Sequence, residues 1–575
     1  MNKLLLSSFL LLVWAARLHA QNAPSIEWQK CLGGSGGDYA TSVKETFDGG
    51  FIVAGGTYSN DGDVSGLHTS NIYDCVPDYW IVKLDSSGNI EWQNCLGGTI
   101  VDIAWSIQQT IDSGFIVAGT TNSGDGDVSG NHGVYYYYYD STYGYTYYDS
   151  TYAADYWIVK LNSSGNIQWQ KCLGGTNYEY AYSIKQTIDH GFILAGSSRS
   201  DDGDVSGHHG PSGQYPDYWI VKLDSSGNIQ WQRSLGGTGS DEAFGVDQST
   251  DGGFIVAGYT TSNDGDVSGY HGNIDYWIVK LDSGGNIQWQ KCLGGSGLDK
   301  SNSIQQTFDH GFIVLGYSFS DDGDVSGNHG NTDFWVVKLD SSGNIQWQKS
   351  LGGSDEDGHE SFGELEQSSS IQQIADGGFI MTGCTESMDG DVSGNHLGAY
   401  GYPSGDYWIV KLDSSGNLQW QKCLGGSFLE HATEIQQTTG GEFIVAGMGA
   451  SNDGDVSGLH PGGSCSNFGG DYWIVKLFYG ASTDVQHTDV LQSWSVFPNP
   501  ASGKSFINYS LSTRAAVRIE LYDLLGNKLK QLINAEDDAG EHNASFDASK
   551  LANGVYLLQI HAGNQMKSQK IIVMK

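Results

Sequence analysis

The chain is 575 residues long, with 82 Gly, 17 Trp, 32 Tyr and 20 Phe but only 28 Lys and Arg together. A formal charge of −38 excludes nucleic acid and anionic lipid as partners, since both repel a polyanion, and it suits the chain to cations. Residues 494–575 hold nine basic and seven acidic side chains, so the negative charge belongs to the region before them.

Residues 1–20 read as a cleaved export signal: Lys3, an apolar run from Leu4 to Val13, then small residues ending at Ala20. That run is too short to cross a bilayer, which predicts an exported protein rather than an anchored one.

From residue 21 one unit recurs. Around Asp275 it reads Asp-Tyr-Trp-Ile-Val-Lys-Leu-Asp, a Ser-Gly-Gly-Asn turn, then Ile287-Gln-Trp-Gln-Lys-Cys-Leu-Gly-Gly. Ser303-Ile-Gln-Gln-Thr, a turn Asp309-His-Gly, Phe312-Ile-Val-Leu-Gly and a loop from Asp322 complete it. The period is 58 residues from Asp217 to Asp275 and again to Asp333. Each segment is a short β-branched and aromatic run between Gly, Asp, Asn and Ser turns, a strand signature with no competing helical period. The Asp-aromatic-Trp strand occurs seven times, from Asp78 to Asp471, and the Trp-Gln strand seven times, from Trp28 to Trp420. The array starts on a Trp-Gln strand and stops on an Asp-Tyr-Trp strand, halves that complete each other only in a ring. The expected fold is all-β: a seven-bladed β-propeller of four-stranded blades over 21–480, closed by the N-terminal strand. A linker at 481–493 and a small Ig-like β-sandwich over 494–575 follow.

Alternating strand direction puts tight turns on one face. The Gly-Gly links, the long loops and every insertion lie on the other, where binding residues are expected. The loop Asp-Gly-Asp-Val-Ser-Gly-x-His recurs seven times with side-chain oxygens at positions 1, 3 and 5. These are Asp61, Asp63, Ser65; Asp125, Asp127, Ser129; Asp202, Asp204, Ser206; Asp264, Asp266, Ser268; Asp322, Asp324, Ser326; Asp389, Asp391, Ser393; and Asp453, Asp455, Ser457. The pattern is the first half of an EF-hand calcium loop, and in the two uninserted loops Asp275 and Asp333 fall at position 12. Calcium is the expected cofactor; the alternative is turn chemistry, Asp and Ser bonding their own backbone. The loop histidines, His68, His132, His209, His271, His329, His396 and His460, are spread round the ring. Zinc needs about four converging ligands, so they read as hydrogen-bonding residues.

Cys31, Cys95, Cys172, Cys292 and Cys423 alternate with Ser234 and Ser350 at one strand position and read as packing residues. Cys75 and Cys465 lie in the loops of the first and last units, which closure makes neighbours, and a disulfide between them is expected. The tract Tyr135 to Tyr152 is either an aromatic arm for glycan or protein, or a low-complexity expansion without fixed structure.

A sialidase needs arginines for its substrate carboxylate, and residues 21–493 contain only Arg199 and Arg233. Carboxylates suffice for a glycosidase pair, but they recur in every unit. The run Asp355-Glu-Asp-Gly-His-Glu360 breaks that symmetry and is the best catalytic candidate; no catalytic residue is assigned.

The run Tyr-Trp-Ile-Val-Lys-Leu-Asp-Ser-Ser-Gly-Asn-Ile-Gln-Trp-Gln, with Leu-Gly-Gly-Ser-Gly and Gly-Phe-Ile-Val-Ala-Gly, resembles the bacterial β-propeller repeat family of exported proteins. The C-terminal blocks Val496-Phe-Pro-Asn-Pro, Ile519-Glu-Leu-Tyr-Asp-Leu-Leu-Gly-Asn-Lys528, Leu551-Ala-Asn-Gly-Val-Tyr and Lys570-Ile-Ile-Val-Met-Lys575 resemble the type A C-terminal sorting domain of the type IX secretion system. The resemblance assigns the sorting motif to Pro498, Asn499, Pro500, Tyr522, Asp523, Gly526, Gly554 and Tyr556. It implies export across a Bacteroidetes-type outer membrane, with the translocon as partner and a secreted or cell-surface destination. The expected function is a binding or adhesion propeller, its acidic loop face carrying calcium and meeting extracellular polysaccharide or a surface protein. The alternative is a polysaccharide-degrading, endoglucanase-like glycoside hydrolase using carboxylates on that face.

Overall fold

The structure is a computed structural model. It describes residues 23–68, 75–133, 136–140, 145–149, 153–358, 369–398, 401, 404–462, 469–479, 490–523, 528–562 and 565–575. Seven four-stranded antiparallel sheets follow one another as propeller blades. The first contains, from inside outward, Asp38–Glu45, Phe51–Thr57, Asp78–Leu84 and Ile90–Leu96. The Gly-Gly link after each Trp-Gln strand therefore crosses from one blade to the next. In the seventh blade Glu430–Gln437, Phe443–Gly449 and Asp471–Phe478 are completed by the chain's first strand, Ser25–Leu32, which pairs Cys31 with Trp473.

The Asp-Tyr-Trp strand is unbrokenly apolar because both faces of its sheet are covered. Tyr79 and Ile81 of the first blade pack with Trp157 and Val159 of the second, while Trp80 and Val82 pack with Tyr472 and Ile474 of the seventh. Tyr79 donates its hydroxyl hydrogen to the Trp157 carbonyl at 3.1 Å, and Tyr472 donates to the Trp80 carbonyl at 2.9 Å. In the fifth blade Phe334 has no hydroxyl and keeps only a ring contact with Trp408, at 5.7 Å.

A second layer explains the Trp-Gln strand and the loop serine together. Trp277 Nε1 donates to Gln290 at 2.8 Å, and the Gln290 amide donates on to Ser268 in the long loop. The same relay runs from Trp473 through Gln29 to Ser457, across the two ends of the array. On the inner strands Gln248 accepts the Ile188 N–H of the blade before it at 2.8 Å; between the first and last blades Glu45 accepts the Thr439 N–H at 2.8 Å. The first and last blades are thus joined by the contacts that join the others.

The strand after the ring begins at Leu491, inside the segment expected as linker. Leu491–Phe497, Lys504–Leu511 and Gly540–Asp547 form one sheet; Lys528–Asp537, Ala515–Asp523, Gly554–Ala562 and Gln565–Val573 form another, around a core that includes Ile507, Ile519, Leu558 and Ile571. Within the tyrosine tract, Tyr136–Asp140 pairs with Tyr145–Asp149 as a hairpin, so this part has regular backbone structure. Residues 1–22, including the expected signal, lie outside the described residues.

Candidate functional site: loop face and central channel

On the loop face the oxygens at positions 1, 3 and 5 have separate partners. Asp322 accepts the Ser296 N–H at 2.7 Å, Asp324 accepts the Gly294 N–H at 3.4 Å, and Ser326 accepts from Gln348. The position-1 contact recurs at Asp61, Asp125, Asp202, Asp264, Asp389 and Asp453, and the serine contact at Ser65, Ser129, Ser206, Ser268, Ser393 and Ser457. Position 3 repeats the side-chain contact with the link glycine at Asp63, Asp204, Asp266 and Asp455, and in every loop, Asp127 and Asp391 included, its backbone N–H donates to that glycine's carbonyl. The loop clamps the Gly-Gly link, and closely: Gly62 has φ +65°, and a Cβ there would meet the Gly33 carbonyl at 2.4 Å. Among the described residues no group of three or more His, Cys, Asp or Glu gathers as a metal site.

Asp275 and Asp333 are fully buried, each accepting the N–H and Nδ1 of its loop histidine, His271 and His329, at 2.7 to 3.0 Å. The histidines also face the next blade: His68 Nε2 lies 3.5 Å from Asp127, and His460 Nε2 lies 3.8 Å from Asp63. Burial works against protonating His68, but its bond to Asp78 and the charges of Asp78 and Asp127 hold its pKa above the usual range. A second carboxylate stands beside each such Asp. Asp38, Asp102, Glu179, Asp241, Asp357 and Glu430 are buried at the start of the inner strands, and burial pushes each up to about 7 against its hydrogen bonds.

Asp357 corrects one expectation. It lies in the acidic run that was expected to break the repeat, yet it accepts the Gly353 N–H at 2.8 Å as Asp38 accepts that of Gly34. It is the sixth blade's copy of a repeated residue; His359 and Glu360 lie outside the described residues.

Asymmetry lies on the axis, and the sequence reading passed over it. Six of the seven inner strands bulge once, between Ala104 and Ser106, Ala181 and Ser183, Ala243 and Gly245, Ser301 and Ser303, Ala432 and Glu434, and Ala40 and Ser42; the short inner strand of the sixth blade, Ser370–Gln373, pairs without a bulge. The bulged residue re-aims its side chain toward the axis. These residues are Trp105, Tyr182, Phe244, Asn302, Thr433 and Thr41, all lining a central cavity of about 290 Å³. Deeper in the cavity Glu434 pairs with Lys44 and accepts the Val43 N–H at 2.8 Å. Burial would raise the Glu434 carboxyl, but the charges of Lys44 and Lys185 outweigh it and hold it below the usual range. Asp247 is raised by burial and accepts the Gln248 and Gln306 N–H groups at 3.1 and 3.0 Å.

Cys31, Cys95, Cys172, Cys292 and Cys423 are buried thiols outside any disulfide. Cys75 is disulfide-bonded, and Cys465 lies outside the described residues.

In the C-terminal sandwich the first and last motif blocks touch. Asn499, between Pro498 and Pro500, donates to the Lys570 carbonyl and accepts the Ile572 N–H, both at 2.8 Å. Tyr522 donates to Glu520 at 2.8 Å, Asp523 pairs in register with Tyr556, Tyr556 donates to the Ala552 carbonyl at 3.0 Å, and Gly554 takes a positive φ. Gly526 lies outside the described residues. Residues 495–574 match the family described as secretion system C-terminal sorting domain. The chain carries a type IX sorting domain. That sorting domain marks the chain for export, to the medium or the cell surface, and for handling by the type IX machinery.

No curated protein matches the chain. Among solved structures it is similar to a putative gluconolactonase, at 8% identity over 64% of this chain and 92% of that one, TM-score 0.30. A glycoside hydrolase family 43 arabinoxylan arabinofuranohydrolase from Bacillus subtilis, in complex with cellotetraose, aligns at 10% identity over 80% and 93%, TM-score 0.28. Dimeric latent PorU from Porphyromonas gingivalis aligns at 10% identity over 64% and 32%, TM-score 0.16. Likeness this low carries no argument about activity.

Proposed function

We propose that this exported chain is a binding protein: a rigid propeller that holds an extracellular polysaccharide without cleaving it. The observation that carries the reading is where the carboxylates point. Those repeated on the loop face are hydrogen-bonded into the ring, and in the channel Glu434 and Asp247 hold backbone N–H groups. A hydrolase is the second reading, favoured by one observation: Asp247 and Glu434 both line the central cavity, with burial raising the first and, against burial, the charges of Lys44 and Lys185 lowering the second, the division an acid and a nucleophile need. Incubating the full chain with insoluble polysaccharides separates the two. Binding predicts protein in the pellet and no new reducing ends in the supernatant; release of reducing ends sinks the binding-only reading. Calcium on the loop face is proposed from the acidic loop sequence and the charge of the body. It predicts a melting midpoint higher in calcium than in chelator, and equal midpoints would remove it.

A further inference from the structure

In a ring of repeats, a residue that the blade itself needs is the same in every blade. The bulge position is not: it is Trp105, Tyr182 and Phe244 in three successive blades, then Asn302, and Thr433 and Thr41 in the last and first. The aromatic three form one continuous wall, with Trp105 and Tyr182 centroids 5.8 Å apart and Tyr182 and Phe244 5.0 Å apart. The opposite wall is hydroxyl. Thr41 has the Ala104 carbonyl at 2.8 Å and Thr433 the Ala40 carbonyl at 3.0 Å, so their hydrogens are committed and lone pairs remain. Two polar atoms at the cavity are buried with no hydrogen-bond partner: Trp105 Nε1, a donor, and Asn302 Oδ1, an acceptor on a residue only 7% exposed. A buried polar atom left unpaired costs stability unless something supplies its partner.

We propose that the central channel binds one neutral sugar ring at the end of a glycan, its C–H face on Trp105 and Tyr182 and its hydroxyls reaching Asn302, Thr41 and Thr433. This rests on the binding reading above and names the site and the ligand class. An apolar face opposite a row of acceptors matches a ring that is hydrophobic on one side and hydroxylated at its rim. The cavity, about 290 Å³, has room for a terminal ring but not for a chain lying across it. Other classes fit worse. A quaternary ammonium would meet a cation already beside the aromatic wall, since Lys300 Nζ lies 5.0 and 4.9 Å from the Phe244 and Tyr259 centroids. A phosphate or uronate would find Lys185 set among Glu434 and Asp247 on a strongly acidic body.

The test is calorimetric titration of the full chain with cellobiose, xylobiose, mannobiose and lactose, with digalacturonate as the anionic arm. The expected result is that at least one neutral disaccharide binds at one site per chain and digalacturonate binds more weakly. Trp105→Ala and Asn302→Ala should each weaken binding about tenfold or more, and Trp105→Phe, which keeps an aromatic face but a smaller one without the indole N–H, by less. Ser342→Ala, in the exposed turn between Asp333–Leu339 and Ile345–Leu351, should bind as the unaltered chain does. The proposal is overturned if none of the neutral sugars binds, if digalacturonate binds as tightly, or if both Trp105 variants bind unchanged while circular dichroism shows them folded. Undiminished retention of Trp105→Ala on polysaccharide would overturn the channel site and leave the binding reading standing. A full chain retained by no polysaccharide would end that reading itself.

Discussion

The loop face and the central channel belong to the same seven blades and obey opposite rules. On the loop face Asp, Gly, Asp and Ser recur in every blade, and each serine has the same partner, the glutamine of a Trp-Gln strand. In the channel one backbone bulge recurs, but the side chain it carries changes from Trp105 to Tyr182 to Phe244 to Asn302. Repetition on the loop face comes from the requirement to hold neighbouring blades in one geometry, which is the same requirement seven times. Variation in the channel is possible because each bulged side chain, though it touches its neighbour in the next blade, also borders the central cavity, where strand pairing does not fix its size. Sameness in this protein therefore marks construction, and difference marks the place free to meet a ligand.

The sharpest way to break that comparison is to cut a constant position. Trp277 is fully exposed to neither solvent nor channel: it is 0% accessible and packs on Tyr218 with centroids 4.5 Å apart. Trp277→Ala should remove about 3–5 kcal/mol, the range for deleting a buried large aromatic. It should lower the urea midpoint sharply, whereas Trp105→Ala, at a half-buried channel position, should shift it much less. Equal losses in the two variants would mean that channel residues are as structural as blade residues.

Most of the fold was legible because each blade repeats its own instructions. Seven Asp-aromatic-Trp strands and seven Trp-Gln strands, out of phase at the two ends, already require the pairing of Ser25–Leu32 with Asp471–Phe478. The site was less legible, for two physical reasons. Asp-Gly-Asp-x-Ser-Gly supplies the oxygens and the sharp turn of a calcium loop, and a loop that clamps a Gly-Gly link needs the same oxygens and the same turn. Sequence composition does not say whether the acceptors converge on an ion or on separate N–H groups. The channel signal was present in the sequence, in an inner-strand position that changes from Thr41 to Trp105, Tyr182, Phe244 and Asn302, but other positions of these strands vary too, and singling this one out requires knowing that the bulge turns it toward the axis. Asp357 carried a signal too: it follows Gly353 by the spacing at which Asp38 follows Gly34, which marks it as a repeated residue despite the insertion around it.

Acidity should bear on the repeated positions as a group. The folded carboxyls of Asp38, Asp102, Asp241 and Asp357, pushed up to about 7 by burial, keep protons that the unfolded chain releases near its ordinary 3.8. Their cost to stability is therefore absent below that lower value and fully present above about 7. His68, His132, His209, His329, His396 and His460 have folded pKa values raised above 6.5. Their contribution is complete below 6.5 and is lost as pH rises through the folded value. Both sets favour mild acid, so Tm should rise by several degrees from pH 8 to pH 5. Further acidification should reverse the gain, because Asp61, Asp264, Asp322 and Asp453, held below the usual range by backbone N–H groups, then lose that stabilisation. A Tm that falls steadily from pH 8 to pH 5 would show that the buried acid and histidine ring does not titrate in this way.

The smallest effect expected is also the most specific to the comparison. Ser268 accepts from Gln290, which in turn accepts from Trp277 Nε1, so Ser268→Ala removes one hydrogen bond at the exposed end of a relay and leaves the buried tryptophan satisfied. The net loss should be about 1 kcal/mol, a small downward shift in the urea midpoint with the slope unchanged. Calcium dependence of the melt provides the discriminating readout. If the serine serves only the relay, the Ser268→Ala chain should respond to calcium and chelator as the unaltered chain does. If calcium raises the midpoint of the unaltered chain and the rise shrinks in Ser268→Ala, the serine oxygen is a ligand, and the loop face would then be a binding surface as well as a clamp.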